Sequence, residues 1–378
     1  MTTIRYFETE DAARQFLQSA PHYENSETVH ILKGSAAHEV AVGPVHAGVI
    51  EPGHFRFQCV GEVVYNLQIF LGYQNRGVEE EICRASGNVA RQIALAETCA
   101  GDTSIAAALA FSQIMEAADP ALREKLTRED RQAHGILLEL ERLANHVGDI
   151  GAMAGDVAFL PTSSYCGRLR GEFLNMTAMI CGNRFGRHAI VPGGTRVRID
   201  KGRKERLASW LRETKRDVDN ALDLMFEEPT VLERLEGTGT VSKEDAAKLG
   251  LVGVARRASD ELKGDVLSRE LIRRLEIDRA CERIAKMLNG EDGEAPHCEE
   301  TGNSTKPWRV ISTKTDAWRG DLEHIALVNS DNTIAGYRIV DPSVYNWQGL
   351  ALAMRGTPIA DFPICNKSFN LSYCGVDR

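Results

Sequence analysis

The sequence lacks a long apolar run, a surplus of positive charge and a dinucleotide-binding glycine motif. No segment approaches the roughly 18 consecutive apolar residues that cross a bilayer, so we expect membrane contact only through partners. The formal net charge of −9 argues against nucleic-acid binding, because phosphate contacts need a clustered basic surface. No Gly-x-Gly-x-x-Gly turn follows a predicted strand, which argues against direct NAD binding.

Cysteine is present but is never paired at close spacing. The chain has nine cysteines, an odd number, and contains no Cys-x-x-Cys. The N-terminus, MTTIRYFETEDAARQF, is acidic and amphipathic and does not suit a signal peptide. Free thiols without a secretion signal are typical of the reducing cytoplasm, so we expect a cytoplasmic location.

What the chain does contain is enough apolar sequence for a sizeable core, with 43% hydrophobic residues among 378. Residues 1–40 are predicted to form a short N-terminal α/β appendage, with a helix near Asp11–Leu17 and a strand near Thr28–Leu32. In residues 41–378 helical patterns dominate, and alternating strand patterns lie near both ends. The sequence therefore predicts a mainly helical α+β fold, a helical bundle with small antiparallel sheets near both chain ends.

The predicted helix at Glu129–Met153 carries most of the polar information. Glu139, Arg142 and His146 share one face of this helix, which predicts a buried polar network, with a surface ion pair as the alternative. Glycines recur at a similar spacing at positions 148, 151 and 155, and such a stripe lets another backbone approach closely.

Several segments, in one order along the chain, match the motifs of one family. They are VGPVHAGVIEPGHFRF, LGYQNRGVEE, LLELERLANHVGDIGAMAGDVAF, DAWRGDLEH, YRIVDPSVYNWQGLALAMRGTPIADF and SFNLSYCGVDR. From about Val42 to Arg378 the chain resembles the large subunit of membrane-associated (group 4) nickel–iron hydrogenases and the homologous quinone-site subunit of respiratory complex I. The resemblance implies that residues 41–378 form a domain of this type.

The resemblance also identifies what has been lost. Nickel in the hydrogenases sits among four thiolates from two Cys-x-x-Cys pairs, and the matching positions here are Ala100, Thr103, Ser372 and Gly375. Because alanine and glycine offer no donor, the resemblance implies a chain without the usual nickel–iron site. A mixed thiolate–carboxylate site for zinc or iron remains open on four residues beside these positions, Cys99, Asp102, Cys374 and Asp377.

The likeness to complex I implies a quinone site, which needs proton donors beside an electron carrier. Candidate donors are His46, His54, Tyr73 and Asp156. A wider polar network is expected around the lost metal site, consisting of Arg76, Glu79, Glu97, Glu139, Arg142, His146, Arg319 and Asp321.

The sequence thus predicts a nickel-free subunit of a membrane-bound, multi-subunit oxidoreductase related to hydrogenases or to NADH:quinone oxidoreductase. We expect it to bind no cofactor itself, to receive electrons from an iron–sulfur cluster on a small partner subunit, and to pass them to a quinone or similar carrier. Membrane antiporter-like subunits would hold it on the inner face of the cell membrane. Two alternatives are a hydrogenase-type metal site on Cys99 and Cys374, and a catalytically silent scaffold.

Overall fold

The computed structural model describes residues 1–26, 32–291, 298–302 and 304–378. Helices account for 53% of the chain and strands for 17%, which confirms the predicted mainly helical α+β fold. The strand predicted near Thr28–Leu32 falls almost wholly outside the described residues. None of the helices in the described ranges is long and apolar enough to cross a membrane.

The α-helices supply the bulk of the core. In chain order they are α1 Glu10–Gln18, α2 Val78–Arg84, α3 Val89–Glu97, α4 Ser104–Ala118, α5 Pro120–Glu124, α6 Arg128–Asp156, α7 Leu160–Cys181, α8 Lys201–Phe226, α9 Pro229–Leu235, α10 Lys243–Lys248, α11 Gly253–Glu261, α12 Val266–Leu288, α13 Ser343–Ala353, α14 Phe362–Phe369 and α15 Cys374–Asp377. Helix α4 is apolar on nearly every side and is almost entirely buried, as expected for a helix in the middle of a core.

The strands form three small sheets. They are β1 Thr2–Phe7, β2 Ala37–Val42, β3 His54–Val60, β4 Val63–Phe70, β5 Ile190–Val191, β6 Gly194–Thr195, β7 Cys298–Thr301, β8 Trp308–Ala317, β9 Gly320–Val328 and β10 Ile334–Val340. The largest sheet has the order β10-β9-β8-β1-β7 and is antiparallel except for the β1–β7 pair. The others are β2-β3-β4 and the short β5–β6 hairpin.

The first strand belongs to a sheet otherwise built from the C-terminal third of the chain. Ile4 of β1 is buried and pairs with Ile311 of β8. The division of the chain at residue 40 stays a prediction, but the N-terminal strand is structurally part of the C-terminal sheet.

The glycine stripe of α6 faces α7, as its spacing predicts. A Cβ atom on Gly151 would lie 2.5 Å from Cβ of Cys166, and one on Gly148 would lie 2.8 Å from Cδ of Arg170. Such distances leave no room for a methyl group. The glycines therefore set how closely α6, which carries the polar face, packs on α7.

Candidate functional site

Arg76 ties the loop at residues 98–103 to the C-terminal segment. Its Nη1 and Nη2 atoms donate to the carbonyl oxygens of Thr98 and Cys99 at 2.7 and 2.8 Å. Its backbone amide donates to the carbonyl oxygen of Arg378 at 2.7 Å. The two segments that match the nickel-binding loops of hydrogenases are therefore joined here by one cationic side chain and its backbone.

A second arginine pairs with the acid of the same loop. Arg319 Nη1 and Nη2 lie 2.9 and 2.8 Å from the two carboxylate oxygens of Asp102, and Nε donates to Asn370 O at 2.7 Å. The guanidinium lies over the Trp318 ring, 3.9 Å from its centroid. Desolvation would raise the pKa of Asp102, but Arg319 and the Thr103 hydroxyl hold it below its ordinary value. Asp102 is thus a carboxylate in a two-bond ion pair with Arg319.

The four positions that match nickel ligands are closed. Ala100 and Thr103 are each 4% exposed, and Ser372 is 1% exposed. The Ser372 hydroxyl accepts a hydrogen bond from Gly375 N at 2.9 Å. A Cβ atom on Gly375 would lie 2.5 Å from Oδ2 of Asp341 and 2.6 Å from that hydroxyl. A cysteine at position 375 does not fit this packing, so the residues present do not fit the nickel–iron group of the hydrogenases.

The four residues of the mixed metal site are engaged in other ways. Asp377 accepts hydrogen bonds from the backbone amides of residues 72 and 74 at 2.7 and 2.8 Å, while Asp102 is paired with Arg319. Burial raises the pKa of Cys99 well above its usual range, and burial together with the charge of Glu51 raises that of Cys374 to about 11. Because metals bind thiolates, two protonated thiols are poor ligands. Within the described part of the chain, no group of three or more His, Cys, Asp or Glu residues is arranged to hold a metal ion.

The interior of the site is instead a cluster of acids that share one cation. Burial raises the pKa of Glu51 and of Asp341, while the charge of Arg319 opposes the rise in both. Glu51, in the β2–β3 loop, also accepts a hydrogen bond from the backbone amide of Cys374 at 3.4 Å. Three carboxyl groups around one arginine cannot all ionise cheaply. Sequence reasoning missed Glu51 and Asp341.

The predicted polar face of α6 lies in the interior. Arg142 is 3% exposed, and its Nε and Nη1 lie 3.1 and 3.3 Å from carboxylate oxygens of Glu139 and Glu276. His146 is fully buried, and its Nε2 lies 2.7 Å from the same Glu276 oxygen. Glu276 comes from α12 and joins the three α6 residues into one network, a contact between distant helices that the sequence pattern of α6 alone does not show.

Three further residues of the predicted network, Glu79, Glu97 and Asp321, lie outside the network of α6 and α12. Glu79 Oε2 lies 2.5 Å from Arg338 Nη1. Glu97 accepts a hydrogen bond from the backbone amide of His188 at 2.6 Å, and burial raises the pKa of Glu97 in spite of that bond. Asp321 is exposed and forms no ion pair with any described residue, so it lies outside the network.

A second chain of polar contacts leads from the site into the helical core. Asn370 donates from Nδ2 to Asp149 at 2.5 Å, Asp149 lies 3.1 Å from Arg273 Nε, and Arg273 Nη1 lies 3.0 Å from Glu270. Arg319, which contacts Asn370, connects this chain to Asp102. The sequence offered one signal that was not used, the alternation of acids and arginines along α12.

The four candidate proton donors do not converge. His46 is exposed, and its Nδ1 accepts a hydrogen bond from a nearby backbone amide in its own loop. His54 is half-buried against Phe70, and Tyr73 is 49% exposed. Asp156 ends α6, and desolvation raises its pKa. Among the described residues no hydrogen bond or ion pair joins any two of the four, so their roles stay predictions.

A small cavity lies behind the loop at residues 98–103. Its volume is about 20 Å³, which is room for about one water molecule. Its polar lining includes Asp102, Glu141 and Asn145. In this conformation the cavity excludes an organic ligand such as a quinone headgroup.

Comparison with known proteins agrees with this architecture. Residues 156–262 match the family described as respiratory-chain NADH dehydrogenase, 49 Kd subunit. The chain shares 20% identity with a solved structure of the membrane-bound sulfane sulfur reductase, an archaeal respiratory membrane complex, covering 91% of this chain and 99% of that chain with a TM-score of 0.76. That likeness establishes the fold.

Related sequences come from two kinds of enzyme. Hydrogenase-4 component G and formate hydrogenlyase subunit 5 of Escherichia coli K12 are each 25% identical, over 97% and 94% of this chain, which spans 67% and 65% of their lengths. One of the NADH-quinone oxidoreductase subunits of Solibacter usitatus is 24% identical over 89% of this chain and 96% of its own length. The resemblance inferred from the sequence is confirmed: relatives of this chain are subunits of group 4 hydrogenases and of NADH-quinone oxidoreductases.

Proposed function

We propose that this chain is a nickel-free subunit of a membrane-bound, multi-subunit oxidoreductase. In this proposal electrons come from an iron–sulfur cluster on a small partner subunit, and a quinone or a similar carrier receives them beside this chain. The observation that supports the proposal is the close packing of Asp341 and Ser372 around Gly375, because it leaves no room for a cysteine side chain at position 375 and places protonatable groups there. The names of the relatives, which are subunits of hydrogenases and of quinone oxidoreductases, support the proposal that the chain belongs to an oxidoreductase complex.

The chemistry assigned to the chain is proton supply. Reduction of a quinone to a quinol takes up two electrons and two protons, so the protein must place acids near the carrier. Glu51, with a raised pKa, and Asp102, with a lowered pKa, both interact with Arg319. Carboxyl groups whose environments push their pKa values apart serve as acid and base, respectively. Glu51 is therefore the proposed donor, together with the predicted His54 and Asp156.

The proposed setting is the inner face of the cell membrane. The small iron–sulfur subunit and membrane antiporter-like subunits would hold the chain there. The relatives are subunits of hydrogenases and quinone oxidoreductases, which supports assembly with other chains.

A catalytically silent scaffold is the second candidate. The cavity of about 20 Å³ behind the loop favours it, because a quinone headgroup needs far more space. In that role the pair of Asp102 and Arg319 would fix the shape of a docking surface, and no carrier would bind.

Photo-crosslinking of the intact complex with a photoreactive quinone separates the two. We expect labelling of the β2–β3 loop or of residues 72–76, and at least tenfold lower quinone reduction in Glu51→Gln, since general acids contribute about 10²-fold or more. His54→Ala and Asp156→Asn should lower labelling or turnover as well.

Two exposed residues provide matched controls for that experiment, His38→Ala and Asp331→Asn, which should change neither readout. If labelling and turnover are unchanged in all three site variants, the scaffold role is established instead. Stoichiometric nickel in the purified complex, or turnover of dihydrogen, would show that a hydrogenase-type centre forms after all.

A further inference from the structure

Glu141 of α6 is a buried acid that the proposed function has not used. It is 8% exposed, and its two carboxyl oxygens accept hydrogen bonds from the backbone amides of Ile105 and Ala106 at 2.7 and 3.2 Å. These amides belong to the first turn of α4, whose own N-cap residue, Thr103, makes no side-chain capping bond. Glu141 therefore caps α4 from a neighbouring helix.

Glu141 is also one of the residues that line the cavity behind the candidate site. Asp102 also lines it, and Asn145 connects the two residues by donating from Nδ2 to Asp102 O and to Glu141 O, both at 2.9 Å. The cavity has room for about one water, and Asp102, Glu141 and Asn145 supply polar groups in a lining that is otherwise largely apolar. One water would thus lie between a carboxyl group with a cation partner and one without.

The charged groups around Glu141 come from each neighbouring element. Asp102 faces it from the loop, Arg142 lies next to it on α6, and Arg170 of α7 and Arg184 beyond α7 line the cavity. From α4 it receives only backbone amides. Burial raises the pKa of Glu141 to about 8, against the effect of those amides, so it holds a proton at neutral pH.

We propose that Glu141 is an internal proton carrier of the candidate site, which exchanges its proton with Asp102 through one water in this cavity. The proposal rests on the proposed function, in which the iron–sulfur partner supplies the electrons. When the carrier is reduced, the Glu141 O–H bond breaks and its proton moves by way of the water to the Asp102 carboxylate and on to the carrier. The Glu141 carboxylate that remains is stabilised by the two amides of α4, and solvent returns a proton along the side of the cavity lined by Arg184.

A static cap is the rival explanation, and the control for it lies in α4. Glu116 of α4 is 4% exposed, accepts a hydrogen bond from Gly193 N at 2.9 Å and has a pKa that burial raises to about 7, but it does not line this cavity. Glu116→Gln and Glu141→Gln are therefore matched changes, because both remove a buried acid that accepts hydrogen bonds from backbone amides. Of the two, only Glu141 lines the cavity of the candidate site.

The test uses the intact complex and the full chain. Quinone reduction from pH 6 to 9 should show an alkaline limb near pH 8 in the unmodified complex and in Glu116→Gln. Glu141→Gln should lower the rate at least tenfold and abolish the limb. The infrared spectrum of the Glu141→Gln complex should be subtracted from that of the unmodified complex. The difference should contain the band of a protonated carboxyl group at pH 6, and this band should disappear above pH 8. A turnover rate within twofold of the unmodified complex, with the limb retained, overturns the proposal.

A second variant covers the case in which Glu141→Gln fails to fold. Ala144→Val keeps Glu141 and fills the cavity, so it should lower the rate while the band remains; an unchanged rate would contradict the water-mediated step. Absence of the infrared band beside normal turnover overturns Glu141 as a carrier and leaves the proposed function standing. If the infrared band changes with pH but the complex does not reduce quinone, the proposed function is overturned. The transfer of the Glu141 proton to the carrier is then overturned as well.

Discussion

At the residue scale, the site has fewer cationic side chains than acidic ones, and several acids therefore interact with the same arginine. Arg319 is bonded to Asp102 and influences Glu51 and Asp341, while Glu270, deeper in the core, has Arg273 as its ion-pair partner. Substitutions of the buried acids should therefore be measured against pH, because their effects depend on which protons the native state holds.

Glu270→Gln should flatten the pH dependence of stability. Glu270 is fully buried, and burial raises its pKa to about 7, so the native state binds a proton that the unfolded chain has released above its ordinary pKa of 4.5. The free energy of unfolding should fall as pH rises from about 4.5 to about 7, by roughly 3 kcal/mol for this one group. Urea unfolding at pH 5.5 and pH 8 measures the difference, with the exposed Glu205→Gln as control. Equal slopes in the unmodified chain and Glu270→Gln would contradict the assignment.

Residue identity made part of the site predictable. The absence of thiolates at Ala100, Thr103, Ser372 and Gly375 is read from the sequence, and the resemblance to hydrogenases implies that these positions match nickel ligands. The partners of the site acids do not, because Glu51 and Glu276 reach their contacts across more than 100 residues of sequence. Asp321 was expected in the same network, whereas the acid bonded to Arg319 in the structure is Asp102, from a loop distant in sequence.

At the scale of helices and strands, local periodicity was sufficient for long helices. The helix predicted at Glu129–Met153 corresponds to α6, which spans Arg128–Asp156. The helices that escaped prediction are short: α5, α9, α11, α14 and α15. Helices of this length are unstable alone and form because the rest of the molecule packs on them, which a local pattern does not record.

Gly151→Ala should lower the free energy of unfolding by roughly 1–3 kcal/mol, the usual cost of adding a methyl group to a full core. The new Cβ would lie 2.5 Å from Cβ of Cys166, so α6 and α7 would have to separate. Gly167→Ala in α7 is the control, because its Cβ meets nothing within 4 Å and alanine favours helix by up to about 1 kcal/mol. Chemical denaturation of both variants checks the prediction; similar losses in the two would show that helix contact is not the cause.

At the scale of the whole molecule, the N-terminal strand joins a sheet formed by strands between residues 298 and 340. The mainly helical α+β fold follows from the sequence pattern, but the pairing of β1 with β8 joins residues about 300 positions apart and has no local signature. This pairing makes the N-terminal residues part of the core of the C-terminal half.

Deletion of residues 1–9 should therefore sharply reduce the yield of soluble protein and lower the midpoint of thermal unfolding. Without β1 the inner edge of β8 is exposed, and the buried Ile4 leaves a gap in the core. Soluble expression and circular dichroism melting measure the effect, and Arg5→Ala, an exposed change in the same strand, is the control. A truncated chain that melts like the full one would show that the N-terminal segment is a dispensable appendage.

The packing of Gly375 against Asp341 also has an evolutionary consequence. Regaining sulfur there would require Asp341 and Ser372 to change with it, and cysteines would still have to return at the positions of Ala100 and Thr103. Each of these substitutions made alone would destabilise the fold without creating a metal site. Natural variants with this arrangement should therefore keep the small residue at position 375 and the acid at position 341 together.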